Sequence, residues 1–394
     1  MSNRMRFGVF LGPHHTPAAQ NPTTAFMRDL KTAQLLDDLG YDEIWFGEHH
    51  SCGAELIGDP AMFIAWVAAQ TRHIKLGTGV VSLPYHNPLW VADRMIMLDH
   101  LTRGRMMMGI GPGALPTDAA MIGLAPGDLR DALEEDTEVL MHLLLSDEPI
   151  SVKTSRYELV NARCQLRPYS DPCFDMGVAA VISPSGPRLA ARHDLGLLSV
   201  GATMRGEGGF DTLGLHWNVM EERCAAAGRS ADRDRWRVVG LMHVAETTEQ
   251  AIKDVEYGID HFFDYLQHTT ATPQFSVEGD TVKERIEWAN DCGMGVIGTP
   301  KDAVAHLKKL EAQAGGFGCF LMLGHEWANW QATQRHYELF ARYVLPEFQG
   351  SSVRQQLSEQ AAREQRTGLF NSQLDAINAF GAKVAAETPA AAGS

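Results

Sequence analysis

Short apolar runs alternate along the chain with stretches in which apolar positions recur every three or four residues. The first pattern predicts buried strands and the second amphipathic helices. Arg6–Leu11 is the first strand. A helix from Thr23 sets Phe26, Leu30, Ala33 and Leu36 on one face and stops at Gly40. A strand over Glu43–Phe46 follows, and Asp59-Pro60 opens a helix carrying Phe63 and Val67. Strands at 74–81 and 106–110 flank a helix at 89–101, and a helix at 128–145 aligns Leu133, Leu140 and Leu144. Further strands fall at 176–182, 197–200, 236–244 and 317–323. Helices follow them through 189–191, at 211–227, at 248–265, after Gly298-Thr299-Pro300, and at 331–343.

Eight strands, each followed by helix, predict an α/β fold of the (β/α)8 TIM-barrel type. A doubly wound open sheet is the alternative; the count of eight and the terminal strand favour closure. Residues 1–350 read as one barrel with insertions at 146–174 and 266–297. The first insertion holds a hairpin around "ISVKTSRYELV", and the second has the length of a lid. Residues 351–394 read as a polar helical extension whose last ten residues are disordered.

Composition narrows the function classes. The net charge of −15 disfavours a general nucleic-acid footprint. No apolar run is long enough to span a membrane, and no signal core precedes the first strand. The 6 cysteines (52, 164, 173, 224, 292 and 319) form no CxxC pair. The expectation is a cytoplasmic chain with reduced thiols.

Three strands run into histidine: "FGVFLGPHH" at 7–15, "EIWFGEHH" at 43–50 and "CFLMLGHEW" at 319–327. In a barrel these ends share the C-terminal mouth, which gathers His14, His15, His49, His50, His325 and Glu326. Three readings compete. Polar residues can simply sit where strands leave the core. The histidines can bind a metal, although adjacent pairs point one member away from the mouth. Or a planar cofactor can lie across the opening. Gly77 and Gly79 in "IKLGTGVV" allow close approach of something flat, and "GIGPGALP" opens backbone at Gly111. Ser183, Ser185 and Gly186 in "ISPSGP" stand at a helix start that suits a phosphate or an ordinary cap. Arg130, in the first turn of its helix, opposes the dipole unless an anion sits there. Met106–Met108, Met121 and Met322 read as core, and Cys52 as at most a pocket thiol.

"GYDEIWFGEHH", "IKLGTGVVSLPYHNPLWVAD", "LDHLTRGRMMMGIGPG" and "GTPKDAVAHL" resemble the bacterial luciferase-like flavin monooxygenases. "LGHEWANWQATQRHYELFARYVLPEF" resembles their limonene 1,2-monooxygenase-type branch. The resemblance covers about residues 5–348. It implies a two-component monooxygenase that takes reduced FMN from a separate NAD(P)H:flavin reductase, adds O2 at the flavin C4a atom and oxygenates a small apolar substrate. It implies His49 as catalytic, Gly79 and Val80 under the ring with a non-prolyl cis peptide, and Arg130, Ser183, Ser185 and Gly186 at the phosphate. His14, His15, His50, His325 and Trp327 fall on the substrate side, with Glu48 or Asp42 orienting His49. A homodimer is implied. Where luciferase has an arginine after the fourth strand this chain has Pro112, so that phosphate contact is missing. An F420-dependent oxidoreductase and a flavin-binding protein without turnover use the same scaffold.

Overall fold

A computed structural model describes residues 4–12, 14–15, 21–200, 212–271 and 277–387. It divides into two compact units, Met1–Phe348 and Gln349–Ser394. The first contains eleven strands in chain order: β1 Arg6–Leu11, β2 Glu43–Phe46, β3 Lys75–Ser82, β4 Met106–Gly111, β5 Ile150–Lys153, β6 Glu158–Ala162, β7 Asp175–Ala180, β8 Gly196–Val200, β9 Trp236–Val244, β10 Gly295–Gly298 and β11 Cys319–Gly324. Strands β1, β2, β3, β4, β7, β8, β9 and β11 pair in parallel in that order, and β11 returns to β1. This is the closed eight-stranded barrel of the sequence expectation. Strands covered on both faces become continuous apolar runs, and β2, β4 and β9 are buried at every position.

The barrel interior is filled by Phe10, Trp45, Met107, Leu198, Val239, Cys319 and Leu321. The indole of Trp45 explains one strand glycine. A Cβ on Gly77 would lie 2.5 Å from its ring, so the flat group at Gly77 is Trp45 and not a cofactor. Below this layer the strand starts bring charge together. Arg237 is 1% exposed and donates through Nε to Glu43 at 2.7 Å. It also reaches Asp175 at 2.5 Å, while Arg6 donates to Glu43 at 2.9 Å. Burial would raise the Glu43 pKa, but the two guanidinium groups hold it down at about 2.

The insertions differ from expectation in detail. The first is the antiparallel pair β5–β6, clamped by Arg156 and Tyr157 donating to Asp136. The second is structured rather than a loop: helix Val282–Asp291 leads into β10, which pairs with the upper half of β9 at Leu241–Val244. The helix expected at 248–265 breaks into Thr248–Val255 and Ile259–Asp264, followed by a π-helical turn Tyr265–Thr269. Gly258 marks the break, because a Cβ there would stand 2.1 Å from the carbonyl oxygen of Glu326. Met106, Met107, Met108 and Met322 are core as expected, whereas Met121 is exposed. In the second unit Val353–Glu387 is one helix, exposed throughout. Most of the tail read as disordered, from residue 388 onward, lies outside the described residues, as do 272–276.

Candidate active site

The C-terminal strand ends surround a cavity with about 1270 Å³ of empty space, counting the part open to solvent. Its wall is mostly apolar, with Phe10, Val80, Val181, Val239, Phe262 and Leu323 among its residues. A second cavity, open to solvent, shares Val80, Ala114, Ala179 and Val181 with the first and is also lined by Gly111, Arg130, Ser183, Ser185 and Gly186. The two therefore adjoin, an apolar slot beside a polar end. Gly79 lines the slot, and the Gly79–Val80 peptide is cis.

His49, at the end of β2, lines the slot between two carboxylates. Its Nδ1 lies 3.3 Å from Asp118 Oδ2 and its Nε2 3.2 Å from Glu55 Oε2. Burial disfavours the charged ring, but Glu55 and Asp118 outweigh it and raise the pKa. Neither Glu48 nor Asp42 orients this ring. Glu48 accepts from Ser82 N, His50 and His86, and these donors hold its buried carboxyl down at about 2. Asp42 accepts from Phe7 N and pairs with Arg4 at the opposite end of the barrel.

The other histidines separate. His325 lines the slot, half-buried, and desolvation holds its pKa well below the ordinary value, so the ring is neutral. His14 lies behind it with ring centroids 5.6 Å apart, and its Nε2 meets His261 Nδ1 at 3.1 Å. Burial and His261 push the His14 pKa down to about 3. Trp327 packs edge-on against His325 at 4.9 Å and backs the wall rather than lining it. Two assignments change. His15 turns away from the slot to lie between Asp29 and Glu326, 3.0 Å from each. His50 is exposed, with its Nε2 on Glu48. Adjacent residues leaving a strand point to opposite sides, so the 49–50 pair delivers His49 to the mouth, while of the 14–15 pair His14 reaches only the back of His325. Cys52 lies 3.3 Å from Thr117 Oγ1, outside the lining.

Sequence reasoning missed Glu55, Asp118, Tyr265 and Phe262. Glu55 sits in a loop that bridges to His14, and Asp118 lies on the short helix Pro116–Met121. Neither position has a periodic signal.

At the polar end, Ser183 Oγ meets Ser185 Oγ at 3.0 Å, at the start of helix Ser185–His193. Arg130 is exposed and lines the same end. A helix start, two hydroxyls and a guanidinium are groups that suit an anion. The two cavities together therefore fit a flat apolar ring carrying a phosphate on a chain. Among the described residues no cluster of His, Cys, Asp and Glu has a metal-site arrangement.

The luciferase-like monooxygenase family model matches residues 5–316. The chain belongs to this family. Limonene 1,2-monooxygenase of Rhodococcus erythropolis is 44% identical over 347 residues, 88% of this chain and 87% of that protein. 4-Hydroxyprotoasukamycin monooxygenase of Streptomyces nodosus subsp. asukaensis is 39% identical over 88% of this chain and 93% of that one. Among solved structures, the oxygenating constituent of 3,6-diketocamphane monooxygenase of Pseudomonas putida, a type II Baeyer–Villiger monooxygenase in complex with FMN, superposes with a TM-score of 0.73. It is 23% identical and covers 87% of this chain and 99% of that one. As a luciferase-like monooxygenase, the chain has its fold and its strand-end motifs accounted for together. No helix of the described residues is long and apolar enough to cross a membrane.

Proposed function

We propose that this chain is the oxygenating component of a two-component monooxygenase that uses reduced FMN and O2 on a small apolar molecule. The observation that carries the reading is the pair of adjoining cavities, with His49 in the apolar one and Arg130 in the polar one. The residues that would hold the flavin are Gly79 and Val80 against the ring, Gly111 along its side, and Arg130, Ser183, Ser185 and Gly186 at the phosphate. Bound reduced FMN supplies the activation of O2. The protein contributes a dry apolar chamber, which keeps water from the reacting oxygen. His49 holds or moves the proton at that oxygen through Nε2. Phe262, Leu323 and His325, backed by His14 and Trp327, form the wall for a substrate of the kind the limonene-oxidising relative is named for.

A separate NAD(P)H-dependent reductase supplies the reduced flavin; the neighbour described as an oxygenating constituent supports that division. Exposed apolar side chains on two packed helices support a homodimer. Met62 and Trp66 lie on Pro60–Ala68, and Trp90, Met97 and Leu101 follow one stripe of Pro88–Thr102. The deazaflavin F420 carries a polyacidic tail. Arg130 is the single cation among the described residues of the polar end, and Glu134 stands beside it, which favours FMN. The experiment is direct binding of FMN and F420, followed by turnover of a monocyclic terpene with a reductase and NAD(P)H. Tight F420 binding without FMN binding would refute the reading.

A further inference from the structure

Two histidines line the mouth cavity among the described residues, and only one has both ring nitrogens facing carboxylates. A carboxylate oxygen accepts and does not donate, so each His49 nitrogen carries a hydrogen. A ring with two N–H groups is an imidazolium. We propose that Glu55 and Asp118 are positioning residues that hold His49 as this cation. The ring then enters the reaction as a donor, with no lone pair available to act as a base. The inference rests on the reading of the mouth as the reaction site and goes beyond it by fixing the direction of proton movement.

Both carboxylates are committed as acceptors. Asp118 takes the His50 N–H at 3.1 Å and the Ser51 hydroxyl as well as His49 Nδ1. Glu55 takes the Tyr265 hydroxyl at 3.5 Å, and burial keeps that phenol protonated. The remaining charges around His49 fit the same state. Glu48 is an anion shared by His50 and His86, and its field also favours a cation at His49. His325 and His14 are held neutral by burial and so do not repel it. Glu55 itself lines the cavity, which brings the Nε2 hydrogen to the wall where substrate sits. Loss of that proton leaves a neutral ring between two carboxylates, which favours its recapture. Asp118 leads toward solvent through Ser51, whose Oγ is 2.6 Å from the exposed Thr117 hydroxyl.

The test is the titration of the His49 ring by NMR in flavin-free protein labelled at histidine, with His49→Gln to assign the signal. The midpoint is expected above the ordinary 6.5, raised by Glu55 and Asp118 against the burial of the ring. Glu55→Gln and, independently, Asp118→Asn should each lower it by roughly one unit or more, while circular dichroism stays unchanged. In turnover, the alkaline limb of the pH–rate profile should move down in Glu55→Gln by the same amount as the titration. A wild-type midpoint at or below 6.5, or one that both substitutions leave in place, overturns the proposal. A raised midpoint in a protein that oxygenates nothing supports the clamp and refutes the functional reading, so the two failures are distinguishable.

Discussion

Arg237 and Glu43 form a two-point ion pair inside the closed end of the barrel, with nitrogen–oxygen distances of 2.7 and 3.1 Å. The pair lies at the strand starts, away from the mouth, and both side chains are about 1% exposed. Removing Arg237 leaves the buried Glu43 with Arg6 alone as counter-ion and takes a partner from Asp175. Arg237→Met should therefore cost about 3–5 kcal/mol of stability, read by chemical denaturation. Flavin affinity of the fraction that remains folded should not change.

Arg130 is predicted to act on the phosphate alone. A charge-assisted hydrogen bond contributes about 1.5–3 kcal/mol, so Arg130→Ala should weaken FMN binding roughly 10- to 100-fold. Riboflavin, which lacks the phosphate, should bind wild type and variant alike. Fluorescence titration of both flavins measures the difference.

His15 makes stability depend on pH. Burial alone would lower its pKa, but hydrogen bonds to Asp29 and Glu326 raise it from 6.5 to about 9. A folded pKa above the unfolded one means the contribution is complete below 6.5 and is lost as pH rises through 9. The amount is about 3 kcal/mol. Thermal unfolding should show falling stability across that window, and His15→Gln should flatten the slope.

The apolar stripe on Pro88–Thr102 predicts self-association. Trp90 is 61% exposed at its start. Introducing a charge there by Trp90→Glu should weaken the proposed dimer by at least roughly 30-fold, the cost of losing an aromatic anchor residue. Sedimentation velocity over a dilution series checks this.

The barrel was legible because strands buried on both faces are short unbroken apolar runs, and helices between them repeat every three or four residues. All eight ring strands could be read this way. β10 could not: Gly295–Gly298 is four residues long, glycine at both ends, and it becomes a strand only because the upper half of β9 offers it hydrogen bonds. The helix break at Gly258 was hidden for the same reason, since the carbonyl that forbids a side chain there belongs to Glu326. The three histidine endings looked alike in sequence, yet they differ in charge. His49 meets two carboxylates, His325 meets apolar rings, and His15 is drawn into an ion cluster with Arg28, Asp29 and Glu326. Those partners come from different elements, Arg28 and Asp29 from helix Pro22–Asp38, Glu55 from a loop and Asp118 from helix Pro116–Met121, so only the folded chain decides which histidine carries charge.

The chemistry itself is tested most directly by isotope. With reductase, NAD(P)H, FMN and ¹⁸O₂, the product from a monocyclic terpene should contain one labelled oxygen atom. His49→Ala should lose that product while still binding FMN and consuming reduced flavin. Label arriving from water instead of O2, or an undiminished yield of labelled product from His49→Ala, would contradict the account.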